Sequence, residues 1–383
     1  MAQSKWELSA SYRTWPMHVK DGLFAITEPD SDVPVLVLVD ANTGSVLWKA
    51  FTPFEVEFAF SDGDHLVVTD VEPTSARSGS AQLLALDIES GEVLDGPTDL
   101  GGIVSAPTTA QPMLITVPGH DLVTMNGVEL GDLSRPMWEV PLAGNSPLIA
   151  GGYALVGERF IDLSDGRPLG VHQYSRVGFL VDRAVFAIDD SLILCAEGIL
   201  DRLDPVTGKS MWPDTVDVGA CTRGNPHSDV RDPGVLVGKD TLYALSDDSG
   251  VLELWAIDLQ TGNVSVELDV TPDSYLHGLE DYVFVVSRPD ELSDSGGYEV
   301  ALVLDGGTSL VPIAAFPNAY DSEGVLYGPP AATPYLGVVA VSAASGTTLW
   351  TMPNGIAHPL GGRLLGFTPG KDGTMTISGL HSN

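Results

Sequence analysis

The sequence predicts an all-β fold, a single β-propeller of four-stranded antiparallel blades, and three observations carry that prediction. A turn motif returns along the chain at near-constant spacing, the segments around it have the length and composition of short strands, and 3.6-residue apolar periods are almost absent. The motif reads VDANTGSVLW from Val39, ALDIESGEVL near 87, RLDPVTGKSMW near 204, AIDLQTGNVSV near 258 and AVSAASGTTLW near 342. In each copy an apolar pair runs into a turn, a Gly follows an Asp or Ser by four residues, and another apolar run lies beyond it.

The first copy shows the logic of a unit. Val35 to Asp40 is a short run rich in β-branched residues, Ser45 to Phe51 is another, and Asn42-Thr43-Gly44 between them supplies turn chemistry. Gly44 is free to take the positive φ that other residues resist. Upstream, MHVKDGLFAIT adds two strand-like pieces around Asp21-Gly22. Four short strands make one antiparallel sheet with two apolar faces, so neighbouring sheets must cover it.

The turn glycines Gly44, Gly91, Gly166, Gly208, Gly262, Gly306 and Gly346 mark seven units, and an irregular one lies around MLITVPGHDLVTMNGVEL and Trp138. From Gly44 to Gly346 there are 302 residues in seven intervals, about 43 each, the spacing of propeller blades at roughly 40–50 residues. The irregular unit and the Gly166 unit together span only 75 residues, so one of them need not be a full blade. We count eight blades, with seven and nine as the alternatives. The C-terminal tail GRLLGFTPGKDGTMTISGL reads as two strands, and the N-terminal KWELSASYR reads as the strand they lack. The strand near 5–13 is expected to pair with those near 362–380, closing the ring so that residues 1–383 form one domain.

Trp48, Trp212 and Trp350 each stand four residues after a turn glycine, the place of an aromatic wedge that docks one blade on the next. Cys195 and Cys221 are the two cysteines, and their spacing permits one structural disulfide in an oxidising compartment; two buried thiols are the alternative.

Composition narrows the partners. The net charge is −34, with 52 acidic residues against 18 basic, which excludes nucleic acid because phosphate binding needs clustered Lys and Arg. No apolar run approaches the ~20 residues that span a bilayer, and the first residues do not form a signal peptide. Either the chain is cytosolic, or an export signal or anchor lies outside this sequence.

The repeats LVDANTGSVLW, RLDPVTGKSMW and VSAASGTTLW resemble the tryptophan-docking repeat of the pyrroloquinoline-quinone-like propellers, and the resemblance covers nearly the whole chain. That superfamily includes quinoprotein dehydrogenases, outer-membrane assembly lipoproteins and extracytoplasmic sensor domains. The dehydrogenases carry adjacent cysteines, whereas Cys195 and Cys221 are 26 residues apart, so the resemblance implies the non-catalytic branch.

Elsewhere the chemistry is thin. No H-E-x-x-H, Walker, C-x-x-C or G-x-S-x-G motif occurs, and the histidines never fall at i, i+2 or i, i+4. Among the acidic turns, Asp247 and Asp248 are the calcium candidates, although turn chemistry alone accounts for Asp, Ser and Gly there. Two proline-containing apolar stretches, Gly101 to Gly119 and Ala315 to Gly337, read as loops or blade entries that either grip a partner or amphiphile or merely cover a channel mouth.

The expectation is therefore a monomeric, non-catalytic binding or scaffolding propeller with no cofactor. It is placed outside the cytoplasm, periplasmic or on the cell surface, as the soluble part of a membrane-anchored envelope protein. It engages a protein partner or a lipid or glycan intermediate. The alternatives are a ligand-sensing receptor domain and a quinoprotein-like or other channel-site enzyme.

Overall fold

The computed structural model describes residues 3–11, 17–20, 22–28, 33–70, 81–99, 102–105, 113–117, 124–142, 147–171, 183–224, 231–238, 241–247, 251–279, 281–287, 298–304, 309–320, 324–331, 337–352, 356–360, 363–369 and 374–381. Every regular element among them is a strand, arranged in nine four-stranded antiparallel sheets and one two-stranded hairpin. We number the blades by position: 1 (17–51), 2 (58–99), 3 (102–141), 4 (148–171), 5 (183–217), 6 (235–269), 7 (274–313), 8 (319–352) and 9 (3–11 with 356–381).

Nine blades correct the count of eight. The fourth is complete but small, since its strands Leu148–Ala150, Tyr153–Val156, Arg159–Asp162 and Pro168–Val171 have only three or four residues each. Two units of reduced length therefore hold two full blades. The C-terminal tail holds the two strands expected of it, Arg363–Pro369 and Thr374–His381, and Ile356–Leu360 before the tail adds a further strand to their sheet. Gln3–Ser11 adds to Thr374–His381 as the fourth, with Leu8 opposite Ile377. The apolar stretches read as loops or blade entries hold the first two strands of blades 3 and 8, Gly102–Ser105 with Met113–Val117 and Ala319–Tyr320 with Val325–Gly328. Their prolines fall outside these strands, which leaves the ladders intact.

The described chain divides into two compact units, residues 2–169 with 359–383, and residues 170–358. Each unit is built the same way. In blade 1, Phe24, Ile26, Val37 and Val39 pack against Leu365, Phe367 and Ile377 of blade 9. The alternate residues Ala25, Leu36 and Leu38 pack against Leu66, Val68, Leu84 and Leu86 of blade 2. Because side chains alternate across a strand, a run such as Val35–Val39 can be wholly buried only when both faces are covered. The fourth strands, such as Val46–Phe51, alternate between exposed and half-buried. In residues 170–358 the same sandwiching joins blades 5 and 6, 6 and 7, and 7 and 8. Between blades 5 and 6 the chain inserts the hairpin of Thr222–Gly224 and Arg231–Pro233.

The recurrent turn has one geometry. In blades 1, 2, 4, 5 and 6 the Asp carbonyl accepts the N–H of the Gly four residues on at 2.7–2.9 Å, and the Asp N–H reaches the carbonyl after that Gly at 2.9–3.0 Å. The Asp carboxylate accepts the N–H two residues on at 2.7–3.1 Å. Closing both loops demands a left-handed residue, and these five glycines hold φ of 71–74°. Gly306 of the seventh copy lies outside the described residues.

Hydrogen bonding lowers the pKa of four of these aspartates. The Ser90 hydroxyl does so for Asp87, the Thr207 hydroxyl for Asp204 and the Thr261 hydroxyl for Asp258, each helped by backbone N–H groups. At Asp162 burial opposes the shift, but Ser164 and Arg167 outweigh it. A lowered folded pKa contributes stability that is complete above the unfolded value of about 3.9 and is lost as the pH falls through the folded value. Asp258→Asn is therefore expected to be less stable than the parent at neutral pH, with the gap closing in acid. Urea midpoints of both proteins across that range check it, and a gap independent of pH would refute it.

Tryptophans join the sheets at these turns. Trp6, Trp48, Trp138 and Trp212 each lie over a turn glycine of the next blade, Gly44, Gly91, Gly166 and Gly262, where an added Cβ would meet the indole Cδ2 at 2.6–2.8 Å. Each indole N–H donates to the carbonyl three residues before that glycine, Ala41, Ile88, Leu163 and Leu259, at 2.9–3.2 Å. Where tryptophan is missing, other groups fill the place. Asp95 accepts the N–H groups of Leu133 and Ser134, Val311 packs beside Gly346, and Gly170 abuts Gly208. Trp350 packs on Tyr327 of its own sheet, and its buried N–H finds no acceptor among the described residues.

Candidate functional site

In the unit of residues 170–358, strand ends of blades 6, 7 and 8 enclose a cleft of about 1370 Å³. Antiparallel register puts them there. In blade 7 Ser274 stands opposite Ser287, Ser287 opposite Glu299, and Val300 opposite Ile313, so two adjacent transverse rows bring all four strands to this end of the sheet. Asp269 and Val270 close the outer strand of blade 6, and Val338 opposite Met352 closes the matching end of blade 8. Gly262 and Gly346 turn the chain at the far ends of those blades.

Most of the lining is apolar, including Val270, Leu310, Ile313, Ala314, Val339 and Met352. Its wall is fixed by backbone bonds. The N–H of Ala331 donates to Ala314, that of Tyr298 to Ala331, and that of Phe316 to Pro329. Behind it Phe316 packs between Tyr298 and His277, with ring centroids 5.4 and 4.7 Å away. His277 Nε2 lies 2.8 Å from the Pro317 carbonyl oxygen, and burial lowers the pKa of its ring, so the imidazole is neutral at pH 7 and donates that bond.

The polar end is built of oxygen. The hydroxyls of Thr271, Ser274 and Ser287 form a triangle with sides of 2.7–2.8 Å. Glu299 lies across the ladder from Ser287, and Asp269 stands two residues before Thr271. Among the described residues the lining holds no Lys, Arg or His. The arrangement offers a large apolar surface in a fixed frame, with acceptors and negative charge at one end.

The residues singled out from sequence fall elsewhere. Asp247 is exposed, Asp248 lies outside the described residues, and no group of three metal-ligating side chains occurs among the described residues. Cys195 and Cys221 are bonded, with Cα atoms 5.6 Å apart, and both are fully buried against Leu200, Trp212, Val218 and Val235. Trp48 and Trp212 dock blades. Trp6 and Trp138 share that role without the preceding turn glycine that would have marked them. The second proline-containing stretch does reach the cleft, giving it Pro330 and Ala331. Nothing in the sequence gathered the other lining residues, which come from strand ends of three blades.

Comparison with known proteins follows the fold. The chain of BamB from Moraxella catarrhalis is 15% identical, with 98% of this chain and 97% of that one covered and a TM-score of 0.46. A eukaryotic initiation factor is 13% identical over 91% of this chain and 89% of its own, with a TM-score of 0.57. The dihydro-heme d1 dehydrogenase NirN is also 13% identical, over 91% of this chain and 68% of its own, with a TM-score of 0.44. No curated protein matches the chain. The PQQ_2 family, described as outer membrane protein assembly factor BamB, matches residues 30–294. With that match spanning more than half its length, and the tryptophan-docked blades on which it falls, the chain belongs to this quinoprotein-like propeller family.

Proposed function

We propose that the chain is a non-catalytic binding or scaffolding propeller that works outside the cytoplasm, as the soluble part of a membrane-anchored envelope protein, and engages a protein partner. The cleft of blades 6 to 8 carries this reading, because its apolar area is of the kind that marks an interaction site. The family is described by an assembly factor, which supports a partner that is itself a protein. The buried Cys195–Cys221 bond supports an oxidising compartment.

Position-specific photocrosslinking in the native host tests the reading. A photoreactive residue at Ala314 is expected to yield a defined polypeptide adduct, and one at the exposed turn residue Val206 is not. Equal adducts at both positions, or none at Ala314, would sink it. Cell fractionation is expected to place the protein outside the cytoplasm, with neither cysteine alkylated after denaturation without reductant.

A further inference from the structure

We infer that the cleft receives an extended apolar polypeptide segment carrying a basic side chain, held by burial of side chains and not by strand addition. The inference rests on the binding role proposed above and names the chemistry of the partner. Size comes first. About 1370 Å³ exceeds the roughly 300–1,000 Å³ of small-molecule pockets, and the lining runs from Asp269 in blade 6 to Met352 in blade 8. A segment several side chains long fills such a trough.

Charge comes second. Among the described residues of the lining Asp269 and Glu299 are the carboxylates and no cation stands beside them, and the chain carries a net −34. The hydroxyls of Thr271 and Ser287, the lining members of the triangle they form with Ser274, add oxygens that can accept a hydrogen bond from a lysine ammonium or an arginine guanidinium. An acidic segment or an anionic headgroup would meet carboxylates without a counter-charge.

The strand edge decides the mode. The outer strand of blade 7, Ser309–Ile313, is bonded to one neighbour in its sheet, so its other edge faces away from the ladder. Pro312 sits on that strand opposite Ala301 and has no N–H to give an added strand. Pro272 and Pro330 also line the cleft, and prolines keep a wall rigid, so that little ordering opposes binding.

Fluorescence anisotropy with two synthetic peptides tests the inference on the full chain. Both share a Val-Leu-Phe-Leu-Val core, one flanked by lysines and the other by glutamates. The lysine peptide is expected to bind about tenfold more tightly at low salt, with the ratio shrinking as salt rises. Ala314→Trp, which fills the cleft, is expected to weaken it about tenfold. Thr351→Arg, at an exposed lining position, should reverse the preference between the peptides, which keeps a decisive variant if the tryptophan disturbs folding. Equal affinity of the two peptides, or no response to either substitution, overturns the inference. Tighter binding of dodecylammonium than of the lysine peptide overturns it too and assigns the cleft to an amphiphile. Adducts at position 314 without peptide selectivity would remove the inference and keep the broader reading, whereas selectivity without adducts does the reverse.

Discussion

Replacing Gly262 by valine is expected to cost about 2–6 kcal/mol of stability, from two sources at one atom. The residue holds φ of 74°, where a branched side chain costs about 1–3 kcal/mol in backbone strain. Its Cβ would also lie 2.8 Å from Cδ2 and 3.0 Å from Cε3 of Trp212, an overpacking that costs about 1–3 kcal/mol more. Gly63 is the control, with φ of 103° and nothing within 4 Å of the place a Cβ would take, so Gly63→Ala keeps only the backbone cost of about 1–2 kcal/mol. Trp212→Ala removes the other partner and should cost about 3–5 kcal/mol, since the ring is buried and donates to the Leu259 carbonyl. In the background of Trp212→Ala the steric part of the Gly262 penalty has no ring to meet, so the two changes are expected to be less than additive. Urea unfolding followed by far-ultraviolet circular dichroism measures all four. If Gly262→Val costs no more than Gly63→Ala, the glycine is a turn residue and the indole above it is incidental.

That joint also shows what could be read from sequence. The turn was legible because its requirements are local: an aspartate to accept N–H groups, a glycine to turn left-handed, and apolar strands on either side. The receiving surface of the tryptophan was not legible, because it belongs to the next blade some 40 residues away. Trp212 lies on Gly262 and bonds to Leu259, not to its own turn. Trp6 and Trp138 were harder still. One precedes the first turn and the other follows an irregular one, yet both meet the same carbonyl-and-glycine seat. The blade number slipped at 148–171 for a related reason, since spacing reports average length and strands of three or four residues still make a sheet when neighbours cover it.

The cleft lies further from what a sequence displays. Its walls are ends of strands in blades 6, 7 and 8, and residues such as Val270, Ile313 and Val339 look in sequence like any other strand residue. Register places each of them near the end of its own sheet and the packing of three sheets gathers those ends, and neither is a property of a single strand. The proline-containing stretch from Ala315 was the one visible signal, and it supplies Pro330 and Ala331. Arg202 was equally silent. It is buried and donates to Ser191, Leu259 and Gln260, so that it shares the Leu259 carbonyl with Trp212 and braces blade 5 on blade 6.

The Cys195–Cys221 bond reinforces that same joint, and its removal is the second large effect expected. The two residues are 26 apart, and a loop of that length closes at a cost to the unfolded chain of about 3.5 kcal/mol. Inside the loop lie the third strand of blade 5, Arg202 and Trp212, the groups that hold blade 5 to blade 6. Cys195→Ala with Cys221→Ala is therefore expected to lower stability by about 3–4 kcal/mol, as reducing the bond in the parent protein should. The loss should not be spread evenly. The N–H of Gly198 donates to Cys221 Sγ, that of Gly234 to the Cys221 carbonyl and that of Val218 to the Gly198 carbonyl. These amides should exchange faster in the double variant by a larger factor than those of Leu36 or Leu84, which sit in the cores of blades 1 and 2. A uniform acceleration would mean that the bond acts only through the unfolded chain. A local one means that it also clamps the native joint, and in that case combining the double variant with Trp212→Ala should cost less than the sum of the two, because both changes release the same contact.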